Sequence, residues 1–238
     1  MSACFQHALR MQLVTINPVR GTQAPKKPEL ELRIPMAHEL RKIIETARST
    51  PWEVPVLLSA TTGARRSEVL GLRWRNVDLE AGRARIVEQV QRVGGKLDFV
   101  APKTERAKRT VPLQPEVVAR LRKHRVEQAW RLRTVGIEVT DDHVVCDRGD
   151  GQPIDPSTYT HAVSRITADA GCVGVRLHDL RHGVATVLAA SGNRPELTSK
   201  LLGHSTVAFT LQTYTHPSDD EMDEVAEILS KAIAPEAS

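Results

Sequence analysis

Between Val175 and His216 the chain reads V-R-L-H-D-L-R-H-G-V-A-T, then L-L-G-H-S, then Q-T-Y-T-H. This compact segment brings together His178, Arg181, His204 and Tyr214, the groups needed for attack on a phosphodiester by a phenolic oxygen. A guanidinium is always charged and makes paired hydrogen bonds to phosphate oxygens. An imidazole moves protons near neutral pH, and a phenol with an ordinary pKa of ~10 needs such help to act as a nucleophile. Tyr214 is therefore the candidate nucleophile, His178 its base or proton shuttle, and His204 a donor to a phosphate oxygen. His182 follows Arg181 on the same helix and is assigned to packing. Tyr159, the only other tyrosine, has no such neighbours. His178 and His182 also have the spacing of a zinc helix, but Asp stands where the catalytic Glu belongs and no third ligand is evident, so no metal is expected.

These groups need a scaffold. Apolar residues at helical spacing predict helices from about Pro35 to Arg48, from Pro51 to Ala60, and again through the run that follows T-T-G-A. The glycine at that last join lets the next residues stand where two helices meet, which presents Arg65 into a cleft. Glu68 lies three residues further on the same helical face and is expected to orient Arg65 or His178. From Ala84 the period switches to two. A-R-I-V-E-Q-V-Q, a Gly94-Gly95 turn, K-L-D-F-V-A-P-K-T and K-R-T-V-P-L predict a three-stranded antiparallel sheet with Lys103 at the tip between its second and third strands. Helices return at Pro115–Arg133, from a cap at Asp155 or Ser157 to Ala170, and at His178–Ala190, Pro195–Leu202 and Val207–Tyr214. His143–Cys146 is a candidate short strand.

Only 3% of residues are aromatic, so the core has to be built from Leu, Val, Ile and Ala. The formal net charge is +4, unevenly spread. Val100–Arg133 holds ten Lys/Arg against three Glu, whereas Ser218–Ser238 holds seven acids against one Lys. Two surfaces with different partners are expected, a polyanion being one of them. On Pro115–Arg133, Arg122 and Lys123 face solvent, as DNA contacts or as a simply solvated face. Cys4, Cys146 and Cys172 have no pairing pattern and read as reduced thiols in small core positions of a cytoplasmic protein. No apolar run approaches the ~20 residues of a membrane span.

T-G-A-R-R-S-E-V-L-G-L-R-W, P-K-T with R-T-V-P-L, H-D-L-R-H-G-V-A-T, L-L-G-H-S and T-Y-T-H occur in this order. Together they resemble the catalytic domain of tyrosine recombinases, the phage integrase family, over roughly residues 35–216. The resemblance implies a mainly α fold with a small three-stranded antiparallel β-sheet, gripping duplex DNA. It implies that Arg65 and Arg181 are the paired arginines on the scissile phosphate, and that Lys103, with Lys108 as the fallback, protonates the leaving 5′ oxygen. Tyr214 would form a 3′-phosphotyrosine bond that a second 5′ hydroxyl reverses, with no metal and no nucleotide cofactor. Lys108, Arg109, Arg122 and Lys123 are the expected DNA-binding surface.

The expected partners are double-stranded DNA and further copies of the chain, as a tetramer on paired sites, in a nucleoid-associated cytoplasmic protein of bacterial or phage origin. In domain terms, residues 1–28 are expected to be the last helix of a core-binding domain plus a linker. Residues 29–217 would form the catalytic domain and 218–238 an acidic helix that docks in cis or on a neighbouring subunit. The short N-terminal part leaves a second reading, a DNA-binding remnant or regulator, and a relaxing, topoisomerase-like activity is the nearest enzymatic alternative.

Overall fold

The computed structural model describes residues 2–22, 33–102, 107–191 and 194–203. The chain divides into two compact units, Met1–Leu32 and Arg33–Ser238.

In the first unit, helix α1 (Ser2–Arg10) half-buries Phe5, Ala8 and Leu9. The apolar period runs on to Leu13, but the helix does not. Gln12 takes a left-handed φ of 56°, and the Leu13 N–H closes back on the Ala8 carbonyl at 2.9 Å, leaving Leu13 75% exposed. Asn17 then caps a single 3-10 turn, Pro18–Gly21, and donates its side-chain amide to the Ser2 carbonyl. Cys4 is exposed, contrary to its expected core position, whereas Cys146 and Cys172 are buried.

The second unit is mainly helical. Helix α2 (Ala37–Ala47) buries Leu40, Ile43 and Ala47 at the predicted spacing, and α3 (Glu53–Thr62) is buried nearly all round. Helix α4 (Arg66–Gly71) is short. Helix α5 (Pro115–Arg133) starts on a proline, where the absent N–H costs nothing. Helix α6 (Pro156–Asp169) is capped by Asp155, which accepts the Ser157 N–H at 2.8 Å. Helices α7 (Leu177–Ala190) and α8 (Pro195–Leu202) complete the described chain. One core runs through these elements, with Ile43, Leu58, Leu70, Trp74, Leu121 and Leu180 almost fully shielded. Each such side chain contributes on the order of 1.5–3 kcal/mol by leaving water. Among the described residues no helix is long and apolar enough to cross a membrane.

The strands differ from expectation. Ala84–Gln91 is not one strand but two, β2 (Arg83–Ile86) and β3 (Gln89–Val93). Strand β2 lies between β1 (Val77–Asp78) and β5 (Arg109–Pro112) in a three-stranded antiparallel sheet, with Ala84 opposite Val111 and Ile86 opposite Arg109. Strand β3 pairs instead with β4 (Lys96–Val100) in a separate hairpin that turns at Gly94-Gly95. The break falls at Val87-Glu88, where Glu88 is drawn aside by Asn76 Nδ2 at 3.0 Å and by Arg73 and Arg75. These contacts take the backbone out of register, so the two halves find different partners. The Val144 segment forms only an isolated bridge to Arg73.

Candidate active site

Helix α3 ends at Gly63, whose φ of 63° is the left-handed cap that glycine adopts without strain. A Cβ there would stand 2.5 Å from Leu202 Cδ2 of α8. The chain then passes Ala64 and reaches Arg65 in extended conformation at the start of α4. Glu68 reaches back to accept the Arg65 N–H at 2.7 Å, which satisfies one of the first donors of α4. Its other oxygen accepts from Arg65 Nη1 at 2.9 Å, and Arg65 Nη2 donates to the Gly203 carbonyl at 3.3 Å. The Arg65 side chain stays 39% exposed. Two of its five N–H groups are thus committed, leaving the rest of the fork for an anion.

Arg181 comes from α7 and is buried. Nη1 donates to the Gly63 carbonyl and Nη2 to the Leu202 carbonyl, both at 2.6 Å. One turn earlier stands His178, whose ring meets that of His182 edge to face with centroids 4.8 Å apart. The His178 side chain reaches solvent, but the packing around its ring and then the charge of Arg181 lower its pKa below the ordinary 6.5. It is neutral at pH 7 and able to accept a proton. His182 is buried, as a packing role requires, and its pKa is lowered by burial first and by His178 next.

Asp179 is fully buried and does not turn to either histidine. It accepts the Arg176 N–H at 2.9 Å and pairs with the Arg176 guanidinium, so it fixes the start of α7. Sequence reasoning passed over it, although an acid three residues after a helix start is a legible cap signal.

Arg109 is the main correction. Expected as a DNA contact, it is instead buried, with its side chain 4% exposed. Nη2 and Nη1 donate to the two oxygens of Glu68 at 2.8 and 3.1 Å, and Nε donates to the Leu201 carbonyl at 2.6 Å. The cause is the strand period: Arg109 and Val111 both point inward from β5, opposite Ile86 and Ala84. Burial alone would raise the pKa of Glu68, but the hydrogen bonds and charge of Arg109, followed by those of Arg65, outweigh it and hold the carboxyl below its ordinary 4.5.

Three arginines from three elements therefore close on the end of one helix. The carbonyls of Leu201, Leu202 and Gly203 accept from Arg109, Arg181 and Arg65 in turn. A helix C-terminus has unpaired carbonyls and the negative end of the macrodipole, so cations belong there. Gly203 closes α8 with a φ of 67°, and a Cβ on it would lie 3.2 Å from Arg109 Cδ and Nη1. Three cations against one carboxylate make the cluster electropositive, and Gly203 is the residue before His204.

Lys103, His204 and Tyr214 lie outside the described residues. Lys108 is exposed immediately before β5. Arg122 donates to the Leu79 carbonyl and pairs with Glu80, and Lys123 lies 3.7 Å from Glu127, so both cations have an acid neighbour within their own unit. Tyr159 is fully buried, its phenol 2.7 Å from Ser59 Oγ, and burial pushes its pKa up. A cavity of about 990 Å³ lies elsewhere, between the β3–β4 hairpin, α5 and the loop before α6, lined by Trp52, Phe99, Arg120, Arg131 and Asp147. Among the described residues no three His, Cys, Asp or Glu side chains converge as a metal site would.

A profile described as "Phage integrase family" matches residues 33–221. Over 95% of its length the chain is 27% identical to a protein named "Tyrosine recombinase XerC-like" from Caldanaerobacter subterraneus subsp. tengcongensis, covering 62% of that protein. Over 97% of its length it is 27% identical to the putative prophage phiRv2 integrase of Mycobacterium tuberculosis, covering 60% of it. The chain thus spans about 60% of the length of these curated relatives. Among solved structures, the Tn1549 transposon integrase in complex with a circular intermediate DNA superposes with a TM-score of 0.74 at 21% identity, over 96% of this chain and 76% of that one. A lambda integrase dimer bound to a core site gives 0.60 at 18% identity, over 92% and 72%. At these identities the structural likeness establishes the fold: a mainly α unit with small antiparallel sheets.

Proposed function

The chain belongs to the phage integrase family, and on that premise we propose that it carries the catalytic part of a tyrosine site-specific recombinase acting on double-stranded DNA. Arg65 and Arg181 bind the non-bridging oxygens of the scissile phosphate and stabilise the charge that concentrates there during attack. Tyr214 Oη attacks phosphorus and passes its proton to His178, which is neutral at pH 7. The P–O5′ bond breaks, leaving a 3′-phosphotyrosine, and Lys103, with Lys108 as the fallback, supplies the proton that makes the leaving oxygen a 5′ hydroxyl. His204 donates to a phosphate oxygen. A 5′ hydroxyl from a second strand then attacks the phosphotyrosine, so the bond energy is conserved through strand exchange. Glu68 orients Arg65. Residues 29–217 form the catalytic domain, copies assemble as a tetramer on paired sites, and the acidic segment 218–238 docks on a neighbouring subunit. The site of action is the cytoplasm, on the nucleoid.

The observation that carries this reading is the arrangement of Arg65 and Arg181. They come from α4 and α7 and are held side by side on the successive Gly203 and Leu202 carbonyls, with His178 one turn from Arg181. The burial of Tyr159, the chain's other tyrosine, supports the choice of Tyr214 as nucleophile. The test is a nicked suicide substrate made from the DNA flanking the gene, run in excess chelator. A covalent protein–DNA band that vanishes in Tyr214→Phe while DNA binding persists is expected. A band that survives Tyr214→Phe refutes the assignment, and binding without any band favours a regulator.

A further inference from the structure

We infer that Arg109 is a positioning residue for strand cleavage. By holding both oxygens of Glu68 and the Leu201 carbonyl at once, it sets the guanidinium of Arg65 and the end of α8 that leads into His204. This rests on the recombinase reading above.

Among the described residues two side chains bridge Glu68 and the end of α8, Arg65 and Arg109, and of the two only Arg109 is buried. Arg65 touches Glu68 and Gly203 but is half open to solvent, so its own position depends on the carboxylate that receives it. Arg181 holds Gly63 and Leu202 and has no contact to Glu68 at hydrogen-bond distance. Arg109 joins α4, through Glu68, to α8, through Leu201, and it does so from a buried position on a β-strand that pairs with its neighbour at Ile86. A rigid strand is a better anchor for such a link than a loop. The absence of a side chain on Gly203 is part of the same device, since a Cβ would press on Arg109.

Two properties separate this role from a DNA contact. A phosphate-binding arginine controls affinity and its salt dependence, whereas a positioning arginine controls the rate once DNA is bound. Arg109 also governs the charge state of Glu68. The charged groups facing that carboxylate are Arg65 from the start of its own helix and Arg109 from β5, with Arg181 of α7 reaching the cluster through the Gly63 and Leu202 carbonyls. With Arg109 gone, burial is opposed by Arg65 alone, so Glu68 takes up a proton at higher pH than in the wild type. Protonated, it accepts less well from Arg65, and cleavage is lost as pH falls through the new pKa.

The experiment uses the full chain and saturating nicked DNA, and compares Arg109→Lys, Arg109→Met and Glu68→Gln/Arg109→Met with the wild type. Lysine keeps the charge but cannot span both Glu68 oxygens and the Leu201 carbonyl. Arg109→Lys is expected to cut the single-turnover rate of adduct formation by roughly 100-fold, the scale of a small misplacement of reacting groups, with DNA affinity within about 3-fold. Arg109→Met is expected to lose the same factor and gain in its pH–rate profile, beyond the acid-side limb that His178 gives to the wild type and every variant here, a second one from Glu68 that Arg109→Lys lacks and the double variant abolishes. An unchanged rate in Arg109→Lys at saturating DNA, or a loss confined to affinity with a salt slope lower by about 1, overturns the inference.

Amide hydrogen exchange over Ser199–Gly203 reports the same link without chemistry, and it should quicken at least about 10-fold in Arg109→Lys. Unchanged protection there overturns the inference even if Arg109→Met fails to fold. A wild type that yields no adduct counts against the recombinase reading, and the exchange result then decides the positional claim on its own.

Discussion

Replacing Glu68 by Gln keeps the shape of the side chain and removes its charge. In the native unit Glu68 is 2% exposed and faces Arg109, 4% exposed, through both oxygens, with Arg65 as a second cation. The amide of Gln accepts on one side only and turns a donor toward a guanidinium on the other. Arg109 would keep the Leu201 and Ala107 carbonyls but lose its counter-charge inside the core. Breaking a buried pair from one side costs about 3–5 kcal/mol. At roughly 2–4 °C per kcal/mol for a domain of this size, Tm should fall by about 6–20 °C. The double variant Glu68→Met/Arg109→Met should recover most of that loss, because neither charge then has to be desolvated. Urea and thermal denaturation of the wild type, Glu68→Gln, the singles Glu68→Met and Arg109→Met, and their double variant supply the test. A Glu68→Gln loss below about 1 kcal/mol, or a double variant as damaged as the sum of the singles, would refute the buried pair. The pH dependence has a definite sign. Since Glu68 is held below its ordinary 4.5, its contribution is complete above that value and is lost as pH falls through the native pKa, so the wild type and Glu68→Gln should converge in acid.

Two further predictions concern His178 and Tyr159. If His178 takes the proton of Tyr214, adduct formation should rise with pH through a midpoint below 6.5, since burial and Arg181 lower that pKa, and His178→Gln should abolish this limb; a midpoint above 6.5 would contradict the geometry. Tyr159→Phe leaves the buried Ser59 hydroxyl without its 2.7 Å partner and should cost about 1–3 kcal/mol by chemical denaturation while the yield of covalent adduct is unchanged, the opposite outcome to Tyr214→Phe.

Much of the scaffold was legible because its signals are local. The apolar spacing of Leu40, Ile43 and Ala47 requires one buried face whatever packs against it, and Pro115 and Asp155 mark helix starts through their own backbone chemistry. Gly63 announced the break that presents Arg65. The single strand drawn from Ala84 to Gln91 failed because side chains distant in sequence broke it: Glu88 answers to Arg73, Arg75 and Asn76, and nothing within the strand declares that pull. At the N-terminus the backbone overrides the pattern instead: the apolar period of Phe5 and Leu9 continues to Leu13, but the reversal at Gln12 ends the helix before it. Arg109 shows a signal that was present but unused. The alternation R-T-V-P-L places it on the inward side with Val111, where a cation demands an acid.

By itself the sequence determined the inventory: Arg65, Arg181, His178, Glu68, and the order of the helices that bear them, because residue chemistry and helical period are properties of short stretches. Tertiary structure alone decided the pairings. Which acid receives Arg109, and that three arginines share the last carbonyls of α8, depends on β5, α4, α7 and α8 meeting at one place. A buried charge is tolerated only where its partners converge in three dimensions, and that convergence is a property of the packed unit.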